Sequence, residues 1–180
     1  IEVLTVPSYE DLISGRAALT TIRTIELDDL LGRDPVVLDN AGLGEWLGNR
    51  VVMVTGAGGS IGAELTRQIA RYRPARLVLF DISEAALYEV QTALADAFPQ
   101  LPLVAIVGDV KHAALVADVL ERERPNVIFH AGAYKHVPLM EELNAWQAVR
   151  NNAFGTWVLG RAAVEARVEK FVLVSTDKAV

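Results

Sequence analysis

The sequence contains no cysteine, no long apolar run and no basic tract, and each absence excludes a class of protein. Without cysteine, the chain cannot form disulfides or thiolate metal sites, which fits a reducing compartment. No apolar run approaches the ~20 residues of a membrane span, and no signal-peptide pattern is visible. A formal net charge of −6 without a basic tract argues against nucleic acid as a partner.

What is present indicates one globular domain with a full core. Hydrophobic residues make up 52% of the 180 residues, which argues against intrinsic disorder. The sequence begins at Ile1 rather than at methionine, and it stops soon after an apolar run typical of a buried strand. We therefore expect a piece of a longer protein. Residues 1–49 are predicted to be a lead-in from an upstream domain, and residues 50–180 the main domain without its C-terminal substrate part.

A glycine-rich turn follows a short β-branched run. Val51–Thr55 leads directly into Gly56, Gly59 and Gly62, and the amphipathic segment Ala63–Tyr72 comes next. Gly56 would turn the chain off the strand, Gly59 would let backbone N–H groups approach a phosphate, and Gly62 would let the helix pack on the sheet. The helix N-terminus would then face a pyrophosphate. The predicted dinucleotide contacts are Gly56, Gly59, Ser60, Ile61 and Gly62; the alternative is an ordinary structural turn.

From residue 50 onward, apolar runs alternate regularly with amphipathic segments. The runs are continuous, which predicts strands buried on both faces of a parallel sheet. We expect an α/β fold, a doubly wound Rossmann-type sheet with strand order 3-2-1-4-5. The predicted strands are 51–55, 77–80, 103–107, 127–129 and 171–174, and the predicted helices are 40–47, 60–72, 83–98, 111–122 and a long one at 141–166.

Acidic residues follow the second and third predicted strands. Asp81 lies about 20 residues past the glycine turn, where a carboxylate would bind both hydroxyls of an adenosine ribose. The same charge would repel a 2′-phosphate, which favours NAD over NADP. Asp109 and Val110 are predicted to contact the adenine. The alternative for both acids is simple helix capping, although Ser83 could cap the helix after Asp81.

Small and polar residues follow the fourth predicted strand. Ala131, Gly132 and Ala133 would let a dinucleotide lie flat across the strand end. Lys135 and His136 lie just beyond, where they suit an anionic or sugar substrate. His130 is interpreted as a structural histidine, and no metal-site pattern is predicted because no carboxylate lies between His130 and His136.

In the long fourth helix, asparagines lie among apolar neighbours. A buried Asn152 needs hydrogen-bond partners, and we expect it to bond to a neighbouring strand end. The aromatic residues Trp146, Phe154 and Trp157 are predicted to pack in the core.

The fifth strand ends in Ser175-Thr176-Asp177-Lys178. A hydroxyl, a carboxylate and an ammonium would converge there, at the functional edge of such a sheet. Side chains this close could share acid and base roles. The alternative is a solvated turn.

Several motifs together resemble the extended short-chain dehydrogenase/reductase superfamily. The chain is most similar to its CapD-like branch of nucleoside-diphosphate-sugar 4,6-dehydratases of polysaccharide biosynthesis. The resemblance covers residues 22–180. Its motifs here are Thr-Gly-Ala-Gly-Gly-Ser-Ile-Gly, His-Ala-Gly-Ala-Tyr-Lys-His-Val-Pro-Leu-Met-Glu, Asn-Asn-x-x-Gly-Thr and Val-Ser-Thr-Asp-Lys-Ala.

The resemblance implies dehydration of a UDP-linked N-acetylhexosamine with bound NAD. By that resemblance, Thr176 would bond the sugar O4, Asp177 would protonate the departing C6 hydroxyl, and Lys178 would remove the C5 proton. Lys135, His136 and Asn152 would bind the sugar substrate. The family's Tyr-x-x-x-Lys pair would fall after Val180, so we expect this stretch alone to bind NAD without turnover.

The resemblance also bears on location, assembly and rival functions. It implies a cytoplasmic domain whose parent protein is anchored at the inner membrane by other segments, and a homo-oligomer paired through the long fourth helix. The alternatives are a nucleotide-sugar 4-epimerase or reductase of the same superfamily, and a non-catalytic NAD-binding module. Asp177 and Lys178 speak against the first two of these.

Overall fold

The computed structural model describes residues 4–5, 23–24 and 39–175. Its contacts divide the chain into two units, residues 1–39 and 40–180. In the first unit, the two-residue strands Leu4–Thr5 and Arg23–Thr24 pair antiparallel. The second unit begins with the predicted helix α1 (Asn40–Leu47). The domain boundary at residue 50 stays a prediction.

A five-stranded parallel sheet forms the centre of the second unit. Its strands are β1 (Val51–Thr55), β2 (Arg76–Asp81), β3 (Leu103–Val107), β4 (Val127–His130) and β5 (Lys170–Leu173). Their order is β3-β2-β1-β4-β5, and every neighbouring pair is parallel. The predicted Rossmann topology is therefore confirmed. All five carboxyl ends lie at one edge, where such sheets bind ligands.

Helices cover both faces of the sheet, because successive strand residues point to opposite sides. The helices after the first three strands are α2 (Ser60–Arg71), α3 (Glu84–Ala97) and α4 (Ala113–Glu123). One core layer contains Leu47, Val52, Val54 and Leu87, and the other contains Met53, Val78, Val116 and Leu159. None of the helices in the described part of the chain has the length and apolarity needed to cross a bilayer.

The long helix predicted at residues 141–166 is not continuous. It is replaced by α5 (Val137–Glu141), α6 (Ala145–Ala148), a π-helical segment (Val149–Gly155) and α7 (Thr156–Glu165). Within the π segment, the residues that face inward are Asn151 and Gly155. A Cβ on Gly155 would lie 2.9 Å from Val110 Cγ2, so only glycine fits that inward position as it is packed.

The prediction that the aromatic residues of this region pack in the core is wrong. Trp146, Phe154 and Trp157 are 67%, 45% and 55% exposed. The small and polar residues of the π segment take the inward positions instead, and the aromatic side chains are left on the outer surface.

Candidate functional site

The glycine turn packs against the loop that follows β4. Gly56 has φ +72°, a left-handed conformation that favours glycine, and a Cβ there would lie 2.6 Å from the Gly132 backbone. A Cβ on Gly62 would lie 1.9 Å from the carbonyl oxygen of Gly56. We expected Gly62 to allow packing on the sheet; the structure shows instead that it packs against its own turn. Gly56 thus excludes a side chain because of its positive φ and the loop after β4, and Gly62 because of the turn itself.

The N-terminus of α2 offers backbone donors at the carboxyl edge of the sheet. The helix begins at Ser60, its first turn has no acidic residue, and no side chain caps it, since Gly59 precedes it. As at any helix start, the first N–H groups, those of Ser60, Ile61 and Gly62, have no acceptor within the helix. Lys135 Nζ donates to Ser60 Oγ at 3.0 Å. The dipole and this ammonium together favour a bound anion.

Asp81 holds the turn from the side of β2. Its Oδ2 accepts from the Gly58 N–H and its Oδ1 from the Ser83 N–H, both at 2.8 Å. Ser83 precedes α3, and its Oγ accepts from the Ala86 N–H at 3.4 Å, as the sequence indicated. A Cβ on Gly58 would lie 2.8 Å from Ala86 Cβ. Sequence reasoning missed Gly58, although the adjacent glycine pair was a visible signal.

Asp109 belongs to a polar chain that reaches the loop after β4. Its Oδ1 accepts from the Lys111 N–H and forms an ion pair with Lys111 Nζ, each at 2.9 Å. Lys111 Nζ also donates to Asn151 Oδ1 at 3.2 Å, and Asn151 Nδ2 donates to the Gly132 carbonyl at 3.0 Å. Partial burial raises the pKa of Asp109, but the bonds and charge of Lys111 outweigh it, so the net shift is downward. No sequence pattern predicted Lys111 in this position.

Asn152 clamps the backbone of Tyr134. Its Oδ1 accepts from the Tyr134 N–H at 2.8 Å, and its Nδ2 donates to the Tyr134 carbonyl at 2.9 Å. Asn152 thus bonds to the segment after a strand end, where we expected it to find partners. Both ends of its amide fix the loop that carries Lys135 and His136, and contact with a substrate stays a prediction.

His130 is the last residue of β4 and is 2% exposed. Its Nδ1 lies 2.6 Å from Thr55 Oγ1, and its Nε2 lies 2.9 Å from Thr156 Oγ1. Burial lowers the pKa of His130 to about 4. The imidazole is therefore neutral near pH 7, and both ring nitrogens have partners.

Most of the described site residues line two adjoining clefts at the carboxyl edge; Gly62 and Asn152 line neither. One, of about 290 Å³, is lined by Gly56, Gly59, Asp81, Asp109, Val110, Ala131, Gly132 and Ala133. The other, of about 650 Å³, is lined by Gly59, Ser60, Ile61, Ala131, Ala133, Lys135, His136 and Ser175. Among the described residues, the structure thus brings together the predicted cofactor side and the predicted sugar side.

Comparison with known proteins identifies the family. The sequence profile of a family described as polysaccharide biosynthesis proteins matches residues 52–180. The chain belongs to that family. Two family relatives align along the whole chain: the capsular polysaccharide biosynthesis protein CapD of Staphylococcus aureus is 39% identical, and the probable polysaccharide biosynthesis protein EpsC of Bacillus subtilis is 36% identical. The chain spans 30% of the length of each.

Two further comparisons match this chain to parts of longer proteins. A UDP-N-acetylglucosamine 4,6-dehydratase (inverting) of Campylobacter jejuni is 29% identical over 133 residues, which are 71% of this chain and 36% of that protein. The structure of a UDP-glucose 4-epimerase from Stenotrophomonas maltophila, solved with NAD and formylated UDP-arabinopyranose, matches with a TM-score of 0.65 at 21% identity. The match covers 71% of this chain and 37% of the epimerase. That likeness confirms the fold.

The predicted catalytic residues Thr176, Asp177 and Lys178 lie outside the described residues. The chain leading to them is described. Val174 donates its N–H to the His130 carbonyl at 2.9 Å, and Ser175 lines the larger cleft. The roles of the three residues therefore stay predictions.

Proposed function

We propose that the chain is the NAD-binding part of a nucleoside-diphosphate-sugar 4,6-dehydratase that acts on a UDP-N-acetylhexosamine in surface polysaccharide synthesis. The observation that carries the proposal is the placement of a glycine turn, an acidic strand end and a basic loop around adjoining clefts. Membership of the polysaccharide biosynthesis family and the likeness to a UDP-N-acetylglucosamine 4,6-dehydratase support it.

The residues at the glycine turn fit a dinucleotide. The turn keeps backbone, rather than side chains, at the cleft, and the uncapped start of α2 together with Lys135 suits a diphosphate. The Asp81 carboxylate suits the two hydroxyls of an adenosine ribose and opposes a 2′-phosphate, which favours NAD over NADP. When bound, NAD would supply reversible hydride transfer with the sugar. The protein's part is to bind, orient and move protons.

Proton movement is assigned to the residues after β5. Thr176 would orient the sugar through its O4, Asp177 would give its proton to the C6 hydroxyl as that group leaves as water, and Lys178 would take the proton from C5. Lysine acts as a base only as the neutral amine, which burial beside a positive charge favours. In this elimination, Asp177 loses one proton to the C6 hydroxyl, which leaves as water, and Lys178 gains one proton from C5. The protons therefore balance.

The substitution Asp177→Asn in the full-length protein tests this proposal. It removes the proposed acid and leaves the glycine turn intact, so we expect loss of dehydration by about a hundredfold or more with NAD affinity retained. Product formation from UDP-N-acetylglucosamine is followed by mass spectrometry, and NAD affinity by calorimetry. If the variant dehydrates the sugar as fast as the wild type, Asp177 is not the acid. A non-catalytic NAD-binding module would yield no product with either protein.

A 4-epimerase is the second candidate, and the likeness to the UDP-glucose 4-epimerase fold favours it. An epimerase inverts C4 without loss of water and needs no acid for a C6 hydroxyl. The Asp177-Lys178 pair in the sequence favours dehydration.

A further inference from the structure

A single buried imidazole contacts the three segments that build the proposed cleft. Thr55 is the last residue of β1 and directly precedes the glycine turn. His130 directly precedes Ala131 at the end of β4. Thr156 directly follows the π segment that carries Asn152. The ring of His130 lies between the two threonine hydroxyls, at 2.6 Å and 2.9 Å.

The hydrogen-bond pattern assigns the protons of this group. Thr156 Oγ1 donates its hydrogen to the Asn152 carbonyl at 2.7 Å, so it can only accept from the His130 ring. His130 therefore carries its proton on Nε2. The Nδ1 atom is then an acceptor, and Thr55 Oγ1 donates to it. In the described part of the chain, no buried side-chain nitrogen or oxygen lacks a partner, which agrees with this assignment.

The chain of bonds continues from Thr156 to the opposite wall of the cleft. The Asn152 carbonyl accepts from Thr156, and the Asn152 amide binds both the N–H and the carbonyl of Tyr134. Lys135 and His136, the proposed sugar contacts, come next in the chain. A continuous series of hydrogen bonds thus runs from Thr55, next to the glycine turn, through His130 and Thr156 to the loop on the sugar side.

We propose that His130, in its Nε2–H form, is a positioning residue that holds the glycine turn and the loop 134–136 in register with each other. The inference rests on the proposed function, since the two walls are those of the NAD and UDP-sugar sites. Filling the core does not require an imidazole here. A phenyl ring beside Phe171, whose ring centroid is 6.2 Å away, would supply apolar volume, but it would leave the Thr55 hydroxyl without an acceptor and Thr156 Oγ1 without a donor.

The substitutions Thr55→Val and Thr156→Val nearly preserve the side-chain shape. The first removes the hydrogen bond to His130 Nδ1, and the second removes those to His130 Nε2 and to the Asn152 carbonyl. A buried hydrogen-bond partner left unsatisfied is worth roughly tenfold or more in an equilibrium constant. In the full-length protein we therefore expect Thr55→Val to raise the Kd for NAD about tenfold, and Thr156→Val to raise the KM for UDP-N-acetylglucosamine about tenfold with a smaller effect on NAD. Calorimetry and initial-rate kinetics measure the two quantities.

Thr66→Val is the matched control. Thr66 is also fully buried, but its hydroxyl donates to the Ala63 carbonyl within its own helix and does not reach the cleft. We expect this variant to lose thermal stability comparably and to keep both the NAD Kd and the sugar KM of the wild type. Equal loss of affinity in Thr66→Val and Thr55→Val would overturn the inference, because a general loss of packing would then explain both.

Substitutions of His130 itself provide a rescue test. Asn can place an acceptor near the Nδ1 position, Gln can place a donor near Nε2, and Phe can do neither. We expect His130→Asn to recover NAD affinity relative to His130→Phe, and His130→Gln to recover the sugar KM. Wild-type affinities in His130→Phe would overturn the inference. If the wild type binds no NAD, the proposed function fails and the inference with it. If the wild type binds NAD and Thr55→Val binds it equally well, only the inference fails.

Discussion

At the scale of single residues, Asp81 is the side chain that we expect to favour NAD over NADP in the proposed site. Its carboxylate orders the glycine turn through Gly58 and lines the smaller cleft. Because its charge would repel a 2′-phosphate, we expect NAD to bind at least about tenfold more tightly than NADP. Asp81→Ser should weaken the binding of NAD and lower the ratio of the NADP Kd to the NAD Kd, as measured by titration with each nucleotide. Asp96→Ser, at an exposed position of α3, is the control. A ratio unaffected by Asp81→Ser would contradict the assignment.

His130 gives the chain a specific dependence of stability on pH. Burial lowers its pKa in the folded state to about 4, while in the unfolded chain it stays near its ordinary 6.5. Between these values the unfolded state binds the extra proton. The stability that His130 contributes is therefore present above pH 6.5 and is lost as the pH falls toward 4, by about 3 kcal/mol in total.

Urea unfolding of the chain at several pH values tests this dependence. In the wild type we expect the free energy of unfolding to fall between pH 6.5 and pH 4, and His130→Gln should remove most of that fall. His112→Gln, at an exposed position, should leave it in place. If the free energy of unfolding depends on pH in the same way in the wild type and in His130→Gln, His130 is not buried as a neutral ring.

At the scale of elements, the turn between β1 and α2 depends on a steric limit at Gly62. A Cβ there would lie 1.9 Å from a backbone oxygen, so Gly62→Ala must displace the turn. We expect a loss of about 1–3 kcal/mol in stability and loss of NAD binding. Gly160→Ala, in α7, meets no atom within 4 Å and should stabilise the chain by about 0.5–1 kcal/mol. Thermal melts and NAD titration of both variants check this; a Gly62→Ala protein that binds NAD normally would contradict it.

The strands could be predicted because each contains a continuous apolar run; β1, β2 and β4 are buried on both faces of the sheet, whereas the edge strands β3 and β5 are only partly buried. β1 and β3 have the predicted ends, and β2 extends one residue further at each end. The π segment could not be predicted. Its apolar spacing is compatible with an α-helix, and the close packing of Gly155 against Val110 is a contact between distant residues that no local pattern encodes. The error about the aromatic residues has the same source.

The site could be predicted in part for a related reason. A parallel sheet places every strand end at one edge, so residues after β1, β2, β3 and β4 were expected together. Pairs such as Lys111 with Asn151, or Lys135 with Ser60, are 40 and 75 residues apart and depend on how the loops fold over that edge. No local pattern encodes such contacts.

At the scale of the whole molecule, the exposed aromatic surface of α6, the π segment and α7 bears on assembly. Phe154 stacks on Trp157 at 5.8 Å, and Arg161 lies 5.3 Å over the Trp157 ring. Aromatic surface of this kind is typical of contact regions. We expect the full-length protein to be a homo-oligomer that Trp157→Glu dissociates, as measured by light scattering. Tyr88→Glu, on α3 and 65% exposed, is the control. The same mass for wild type and Trp157→Glu would contradict this expectation.

The reaction itself is tested most directly by following the hydrogen on C4 of the sugar. The full-length protein is incubated with UDP-N-acetylglucosamine that carries deuterium at C4, and the product is examined by mass spectrometry and NMR. The proposed dehydratase would yield a 4-keto-6-deoxy sugar that has lost one water and carries the deuterium at C6. A product that is inverted at C4, has lost no water and keeps its deuterium at C4 would contradict dehydration and establish the epimerase. An unchanged substrate would contradict both.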